Sequence, residues 1–593
     1  MLGIPGGSIY SSGYAEVDEA GHQAQEDLRR AAKDMVFLGP NCMGFANLVH
    51  RVFATTAPAL DHNSALGDVA IVSQSGGLAF ATLAYYASQM GINLTYLVNT
   101  GNTAGISYRD LTGYLFEDDA TKAVLAVAES EVVAAELMSA VRDFGLVKPV
   151  VLLKLGRGDT GVRMAQSHTG ALAGDYAPIR DCAEQLGIVC ADDVDEALHA
   201  VDLLRHGFRP EDSDGLAAIC ISGGNVTLLA DLVDASDLQF AQLAESTRTQ
   251  LRAVLPDFVS INNPVDITAL GYEQPELHRE VLQVLAGDAA VRCLVPILTT
   301  MEDYSLLCSL LAEVSTAQSC PLIVLWTGGS YDEKSLPILR AAGVPVFKTA
   351  NALVRTLACM QRAVVAGTSA DEIGLTPIVA HLAKSRVTES AAYQFLADAG
   401  LAVPRWEACV RSELVAAAER VGYPVVIKID SATTHISDSG GVIVGVRSPE
   451  DLNARSDAIA RLPESGLLVA KFLPGAELIA STFMHPHLGP LLMLGSGGVL
   501  VELLADVRFA RLPVTRAHIE RLLRRTAIGG MLATGHRGAE GFDAAADFLH
   551  RLSVVALSSA SSISQIELNP ITVGSHGAAA VDAAITLHAS ADI

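Results

Sequence analysis

Two stretches of this chain follow one plan. Residues 68–91, DVAIVSQSGGLAFATLAYYASQMG, and residues 215–239, GLAAICISGGNVTLLADLVDASDLQ, each pass from an unbroken apolar run through Ser-Gly-Gly into a segment of helical length. An unbroken apolar run suits a strand buried on both faces, and a parallel sheet covered by helices supplies that burial. The first copy continues with INLTYLVNTGN, AVLAVAESEV and PVVLLKLG, the second with CLVPILTT, PLIVLWTGG and VPVFKTANALVRTLACMQR. Strands alternating with helices predict two tandem doubly wound domains, at 61–208 and 209–368.

The flanks read differently. Residues 1–60 hold GSIYSSGYAE, an amphipathic helix in DEAGHQAQEDLRRAAKDM and a strand in VFLGPNCMGFAN. That is one partial βαβ unit, too small for a core of its own. Beyond residue 369, YPVVIKID, GGVIVGV, GLLVAKFLP, AELIASTFMHP and GPLLMLGSGGVLVELL follow one another without long helices between them. This texture predicts an α+β domain of antiparallel character over 369–593. A length of 593 residues accommodates such a plan at roughly 150 residues per domain.

Charge and cysteine content exclude several function classes. The net charge is −25 and no Lys/Arg-rich run occurs, so a nucleic-acid surface is not expected. Anions must instead be held locally, by helix N-termini and a few basic side chains. The nine cysteines form no CxxC pair and their number is odd, which fits reduced structural thiols in the cytoplasm. The first residues lack a basic segment followed by an apolar core, so no secretory signal is read there. No apolar run reaches about 18 residues, so no membrane span is expected.

The chemistry gathers in three places. The turns Ser73–Gly77 (Ser73, Ser75, Gly76 and Gly77) and Ser222–Gly224 (Ser222, Gly223 and Gly224) each stand where a strand hands over to a helix. Free backbone N–H groups there sit at the positive helix end, and glycine lets an anion approach; tight strand–helix packing explains such glycines equally well. Second, His168 lies in SHTGALAG, among small residues that leave an imidazole uncovered. Imidazole can act as a covalent nucleophile and is largely unprotonated near neutral pH, while a satisfied loop histidine is the plain alternative. Glu129, at a strand end, could fix its tautomer or could simply face solvent. Third, Lys428 in VVIKI, Lys471 in GLLVAKFLP and Glu477 in PGAELI lie on strands, with Glu567 and Asn569 in IELNPI and Asp582 in AVDAA following. A strand lysine suits a nucleotide phosphate or, equally, solvent; a carboxylate and an amide oxygen on adjacent strands suit Mg²⁺ carrying ATP phosphates.

In chain order, GPNCMG, VSQSGG, SHTGALAG, NPVDI, KIDSATTHISDSGGV, GPLLMLGSGGVLVELLADVRF and ELNPI resemble the NDP-forming acyl-CoA synthetase family, which includes succinyl-CoA synthetase and ADP-forming acetate–CoA ligase. The resemblance implies a Rossmann-like CoA-binding unit present only in part, two flavodoxin-like domains and a C-terminal ATP-grasp domain. It implies an acid–CoA ligase that consumes ATP with Mg²⁺ and CoA, releases ADP and phosphate, and associates as a homodimer or larger. His168 occupies the phosphohistidine position and Glu129 that of its orienting carboxylate. His435 takes the place of a second, relaying histidine, and the two glycine turns hold the phosphate. Lys428, Lys471 and Glu477 would serve nucleotide, and Asn569 and Asp582 metal. Departures from the family pattern are the partial N-terminal unit, Ile436 where a basic residue is usual, and His485 and His487 before the GP turn. The partial unit also admits a second reading: a truncated regulatory relative that binds nucleotide but not CoA.

Overall fold

The computed structural model describes residues 6–588 apart from 34, 59, 62, 159, 161–175, 300–302, 329–333, 364–386, 432–440, 464, 499–505 and 535–539. The chain divides into two compact units, Met1–Val365 and Ala366–Ile593.

The first unit carries two large sheets built mainly of parallel strands and one small two-stranded sheet. One has seven strands in the order Val52–Thr55, Gly44–Asn47, Leu94–Asn99, Leu66–Ser73, Ala123–Ala128, Val150–Lys154, Val189–Ala191. The last five run parallel. Leu94–Asn99, Ala123–Ala128 and Val150–Lys154 are buried at every residue, which is why their sequences show no alternation. The first two form an antiparallel hairpin against Leu94–Asn99. This corrects the expected 1–60 unit: residues 44–55 join the neighbouring sheet. A short turn suffices to join antiparallel neighbours, so two four-residue strands can extend the sheet beyond Leu94–Asn99. What remains of that unit is a two-stranded parallel sheet, Gly6–Ser8 with Val36–Leu38, and the helix Glu19–Ala32. Asp18 caps this helix by accepting from Gly21 N at 2.8 Å.

The second sheet has the order Val265–Asp266, Leu216–Cys220, Cys293–Leu298, Val324–Trp326, Val346–Phe347, all parallel. Taking the parallel strands of each sheet in chain order, both read 2-1-3-4-5. In that arrangement the connections leave the first strand toward opposite edges, so a crevice opens at its carboxyl end. Both Ser-Gly-Gly turns stand at that point.

The second unit is built on two antiparallel sheets. The smaller has the order Trp406–Cys409, Leu467–Lys471, Val425–Ile429, Val442–Val446. The larger runs Val507–Arg511, Gly489–Ser496, Ala476–His485, Ile563–Gly574, Gly577–Ala580, with Ala583–Leu587 also pairing to Ile563–Gly574. The helices Arg516–Arg524 and Glu540–Ser558 cover the larger sheet through a core that includes Leu492, Ile519, Leu549 and Ile566.

Candidate active site

In the seven-stranded sheet the crevice lies between Leu66–Ser73 and Ala123–Ala128. Ser73 is buried; its Oγ donates to Ser75 O at 2.8 Å and accepts from Ser75 N at 3.1 Å, which tightens the turn. The helix begins at Gly76. A Cβ there would lie 2.8 Å from Met43 Sδ and 2.9 Å from Asn99 Oδ1, so this position admits no side chain. At Gly77 nothing lies within 4 Å, and this side of the helix end is open. The helix continues through a π-helical segment, Leu78–Leu83, before regaining α geometry. Such segments recur where a helix end is shaped for a ligand.

Two buried amides hold the crevice together. Asn99 Nδ2 donates to Ser73 O at 2.9 Å and Gln74 O at 2.8 Å, and Asn99 Oδ1 accepts from Met43 N at 2.6 Å. Gln74 Oε1 accepts from Glu129 N at 2.6 Å and Ser130 N at 3.0 Å, spanning from the first strand to the third. Ser130 in turn caps the helix Glu131–Phe144 through Val133 N. Glu129 therefore stands where two helix N-termini converge.

Lys154, which the sequence reading passed over, supports Glu129 from below. Its Nζ donates to Glu129 O at 2.8 Å and Leu155 O at 2.5 Å, and the side chain is buried. Burial pushes the ammonium down to about 8, against the pull of Glu129 and Glu131. The signal was a lysine ending an otherwise apolar strand. In the folded chain this group loses its proton near pH 8, in the unfolded chain near the ordinary 10.5. Between those values the unfolded state holds the extra proton, so stability rises with pH. Lys154→Met should lack that rise, a difference on the order of 3 kcal/mol from wild type. The chain has two tryptophans, Trp326 and Trp406. In a Trp406→Phe background, fluorescence-detected urea unfolding reads the first unit alone; parallel pH profiles for the two proteins would refute the effect.

At the second turn, Asn225 Nδ2 donates to Ser222 Oγ at 3.2 Å, and Asn225 Oδ1 accepts from Thr327 Oγ1 at 3.2 Å. Asp266 Oδ2 stands 3.0 Å from where a Cβ on Gly223 would be, while Gly224 is open. A carboxylate so near this helix end already uses part of its field, so the second turn suits an anion less well than the first. Asp266 was not anticipated as a site neighbour, because it comes from the adjacent strand. His168 and His435 lie outside the described residues.

In the second unit Lys428 is buried, and not turned to solvent. Its Nζ donates to Glu389 Oε1 at 2.6 Å and to Val581 O at 2.7 Å, with Asp582 Oδ2 at 3.6 Å. Lys471 Nζ donates to Gly422 O at 2.8 Å and Tyr423 O at 2.6 Å, so in this structure it fastens the turn before Val425–Ile429. Glu477 and Asn569 meet at Gly498. Gly498 N donates to Asn569 Oδ1 at 3.2 Å, and at φ +71° a Cβ there would strike the Glu477 carboxylate. Asn569 and Asp582 are the next residues after the Leu568–Ala583 pair, which sets them opposite each other. Among the described residues no group of three or more His, Cys, Asp or Glu side chains could hold a metal ion. One amide and one carboxylate oxygen fit a Mg²⁺ carried chiefly by nucleotide phosphates, and would not form an all-protein cage. His485 Nδ1 accepts from Leu488 N at 3.2 Å and closes its turn.

Residues 66–204 match the family model for the succinyl-CoA ligase-like flavodoxin domain and residues 379–587 that for an ATP-grasp domain. A trans-feruloyl-CoA synthase from an unknown prokaryote is 31% identical over 97% of this chain and 85% of its own length. An ADP-forming acetate–CoA ligase I from Archaeoglobus fulgidus is 30% identical over 98% and 86%. The chain belongs to the ADP-forming acyl-CoA ligase family. A solved acetyl-coenzyme A synthetase from Ca. Korarchaeum cryptofilum, in complex with phosphate and ADP, shares the fold with TM-score 0.54, covering 60% of this chain and 77% of that one at 24% identity. The ligase thus has an ATP-grasp unit for Mg²⁺-ATP and a flavodoxin-like sheet whose crevice suits an anion. No helix among its described residues is long and apolar enough to cross a membrane.

Proposed function

We propose that this ligase converts a carboxylic acid, ATP and CoA to acyl-CoA, ADP and phosphate through phospho-His168. The observation that carries the reading is the crevice beside Gly76, where the open helix end at Gly77 and the backbone of Glu129 are tied together through Gln74. A histidine nitrogen attacks the γ-phosphorus of ATP and ADP leaves. The acid's carboxylate oxygen then takes the phosphoryl group from the histidine, giving an acyl phosphate. The CoA thiolate attacks the acyl carbon and phosphate departs. The backbone N–H groups at Gly76 and Gly77 stabilise the phosphoryl oxygens without carrying a proton that could transfer. Glu129 holds the imidazole in the attacking tautomer. His435 carries the phosphoryl group from the ATP-grasp unit, because the transfer tolerates only close in-line contact. Ser222–Gly224 is the second cradle, Lys428, Lys471 and Glu477 serve nucleotide, and Asn569 and Asp582 would hold Mg²⁺, which supplies charge neutralisation at the phosphates. The ligase works in the cytoplasm as a homodimer or larger assembly.

The retained crevice and nucleotide residues favour catalysis over a regulatory role confined to nucleotide binding. The test is product stoichiometry. Acetate, trans-ferulate and 4-hydroxybutyrate are the first acids to try, since relatives are named for acting on them. With the accepted acid, thioester, ADP and phosphate should appear in equal amounts. AMP and pyrophosphate in place of ADP would overturn the mechanism, and nucleotide binding without turnover on any acid would return the regulatory reading.

A further inference from the structure

The Lys428 ammonium stands between two carboxylates of unlike exposure. The Glu389 side chain is 8% exposed, as is that of Lys428 itself, whereas Asp582 is 50% exposed. Glu389 opens the helix Glu389–Asp398. The next residue, Ser390, donates from N at 2.9 Å and from Oγ at 2.5 Å to Asp430. Consecutive residues of one helix end thus hold Lys428 and Asp430 of the same strand segment. Val581 O, which accepts from Lys428, also accepts from Tyr393 OH at 2.6 Å. The ammonium is fixed from the buried side by Glu389 and Val581 O, and its remaining face meets an acid that solvent reaches.

We propose that Glu389 is a positioning residue for nucleotide: it holds Lys428 from the buried side, leaves the Asp582 side to a nucleotide phosphate, and takes one proton from solvent when that phosphate claims the lysine's charge. The proposal rests on the assignment of Lys428 to the nucleotide. An incoming phosphate is a stronger acceptor than exposed Asp582 and displaces it. Sharing the cation with that phosphate weakens its hold on Glu389. Burial raises the Glu389 carboxyl, Lys428 pulls it back and Asp582 adds to the rise, and the balance stands at about 7. The charged and titratable groups around it are Lys428, Asp582, Tyr393 on its own helix, and Asp430 held by Ser390. Of these only Lys428 favours the carboxylate form by its charge, so weakening that one contact protonates the acid near neutral pH.

The experiment is calorimetric titration of the full chain with Mg²⁺-ADP, in buffers of different ionisation enthalpy, between about pH 6.5 and 8.5. Wild type should take up a proton on binding, and its Kd should rise roughly five- to tenfold across that range. In Glu389→Gln the amide still accepts from Lys428. This variant should lose the uptake and keep only the slope of the nucleotide's own ionisation. Lys428→Met separates the premises. If it binds Mg²⁺-ADP as wild type does, the nucleotide assignment fails and the inference with it. If it fails to bind while Glu389→Gln keeps wild-type uptake and slope, the inference alone is overturned. Should Glu389→Gln not fold, wild type decides: binding without proton uptake refutes the proposal.

Discussion

Asn99→Leu should remove roughly 3–5 kcal/mol of stability from the first unit, because it orphans two polar groups at about 1–3 kcal/mol each and strips one bond from a third, with partial relief by relaxation. The orphaned groups are Gln74 O and Met43 N, while Ser73 O keeps its bond from Thr100 N at 2.9 Å; all three are tied to one side chain that is fully buried. Leucine keeps the branching and heavy-atom count of asparagine and is the bulkier of the two, so no cavity contributes to the loss. Hydrogen exchange in the intact chain gives the readout. Amides of Leu66–Ser73 and Leu94–Asn99 should lose protection by two or more orders of magnitude, while those of the larger sheet of the second unit should not change. Asn99→Asp keeps an acceptor for Met43 N but turns a buried carboxylate oxygen onto Ser73 O and Gln74 O, so its effect should at least equal that of leucine at neutral pH and shrink at acid pH, where the protonated carboxyl can donate. Unchanged protection in Asn99→Leu would mean that the crevice does not depend on this amide. The same bonds fix the start of the helix at Gly76, so acyl-CoA formation should fall alongside the protection.

The parts of the fold that could be read from the sequence were those whose physics is local. Apolar runs such as AVLAVA carry no alternation because both faces are covered, and Ser-Gly-Gly marks the hand-over to a helix. The antiparallel texture after residue 369 follows from short strands without crossover helices. What escaped reading was settled by contacts between distant segments. The hairpin of Gly44–Asn47 and Val52–Thr55 carried a turn signal in Asn47, whose side chain accepts from His50 N, but only the partner strand 94–99 decides which sheet it extends. Lys154 and Asn99 are polar residues ending buried strands, a pattern that marks the crevice in retrospect. Lys428 was read as facing either phosphate or solvent. Its buried acid is 39 positions away in sequence, and no spacing rule links a helix's first residue to a strand that far downstream.

Replacing His168 with alanine should abolish acyl-CoA formation, with a loss on the order of 10⁴-fold or more, as for removal of a covalent nucleophile. The described residues around the two turns offer no substitute. The Ser73 hydroxyl is engaged with Ser75 in both directions. Cys220, beside the second turn, is buried, and burial pushes its thiol up to about 11, so it carries almost no thiolate at neutral pH. Lys154 is buried beneath Glu129 and spends its donors on carbonyl oxygens. Incubation with γ-labelled ATP and Mg²⁺ should leave wild type with an acid-labile, base-stable label that a suitable acid plus CoA discharges. His168→Ala should retain label at His435 alone, and acid plus CoA should not discharge it. His435→Ala should label poorly at either position, because the relay into the flavodoxin-like crevice is cut before His168 is reached. Substantial turnover by His168→Ala, or wild-type labelling of His168 in His435→Ala, would remove the histidine or the relay from the mechanism. Loss of both labels in Lys428→Met, with the fold retained, would place the block upstream at the nucleotide.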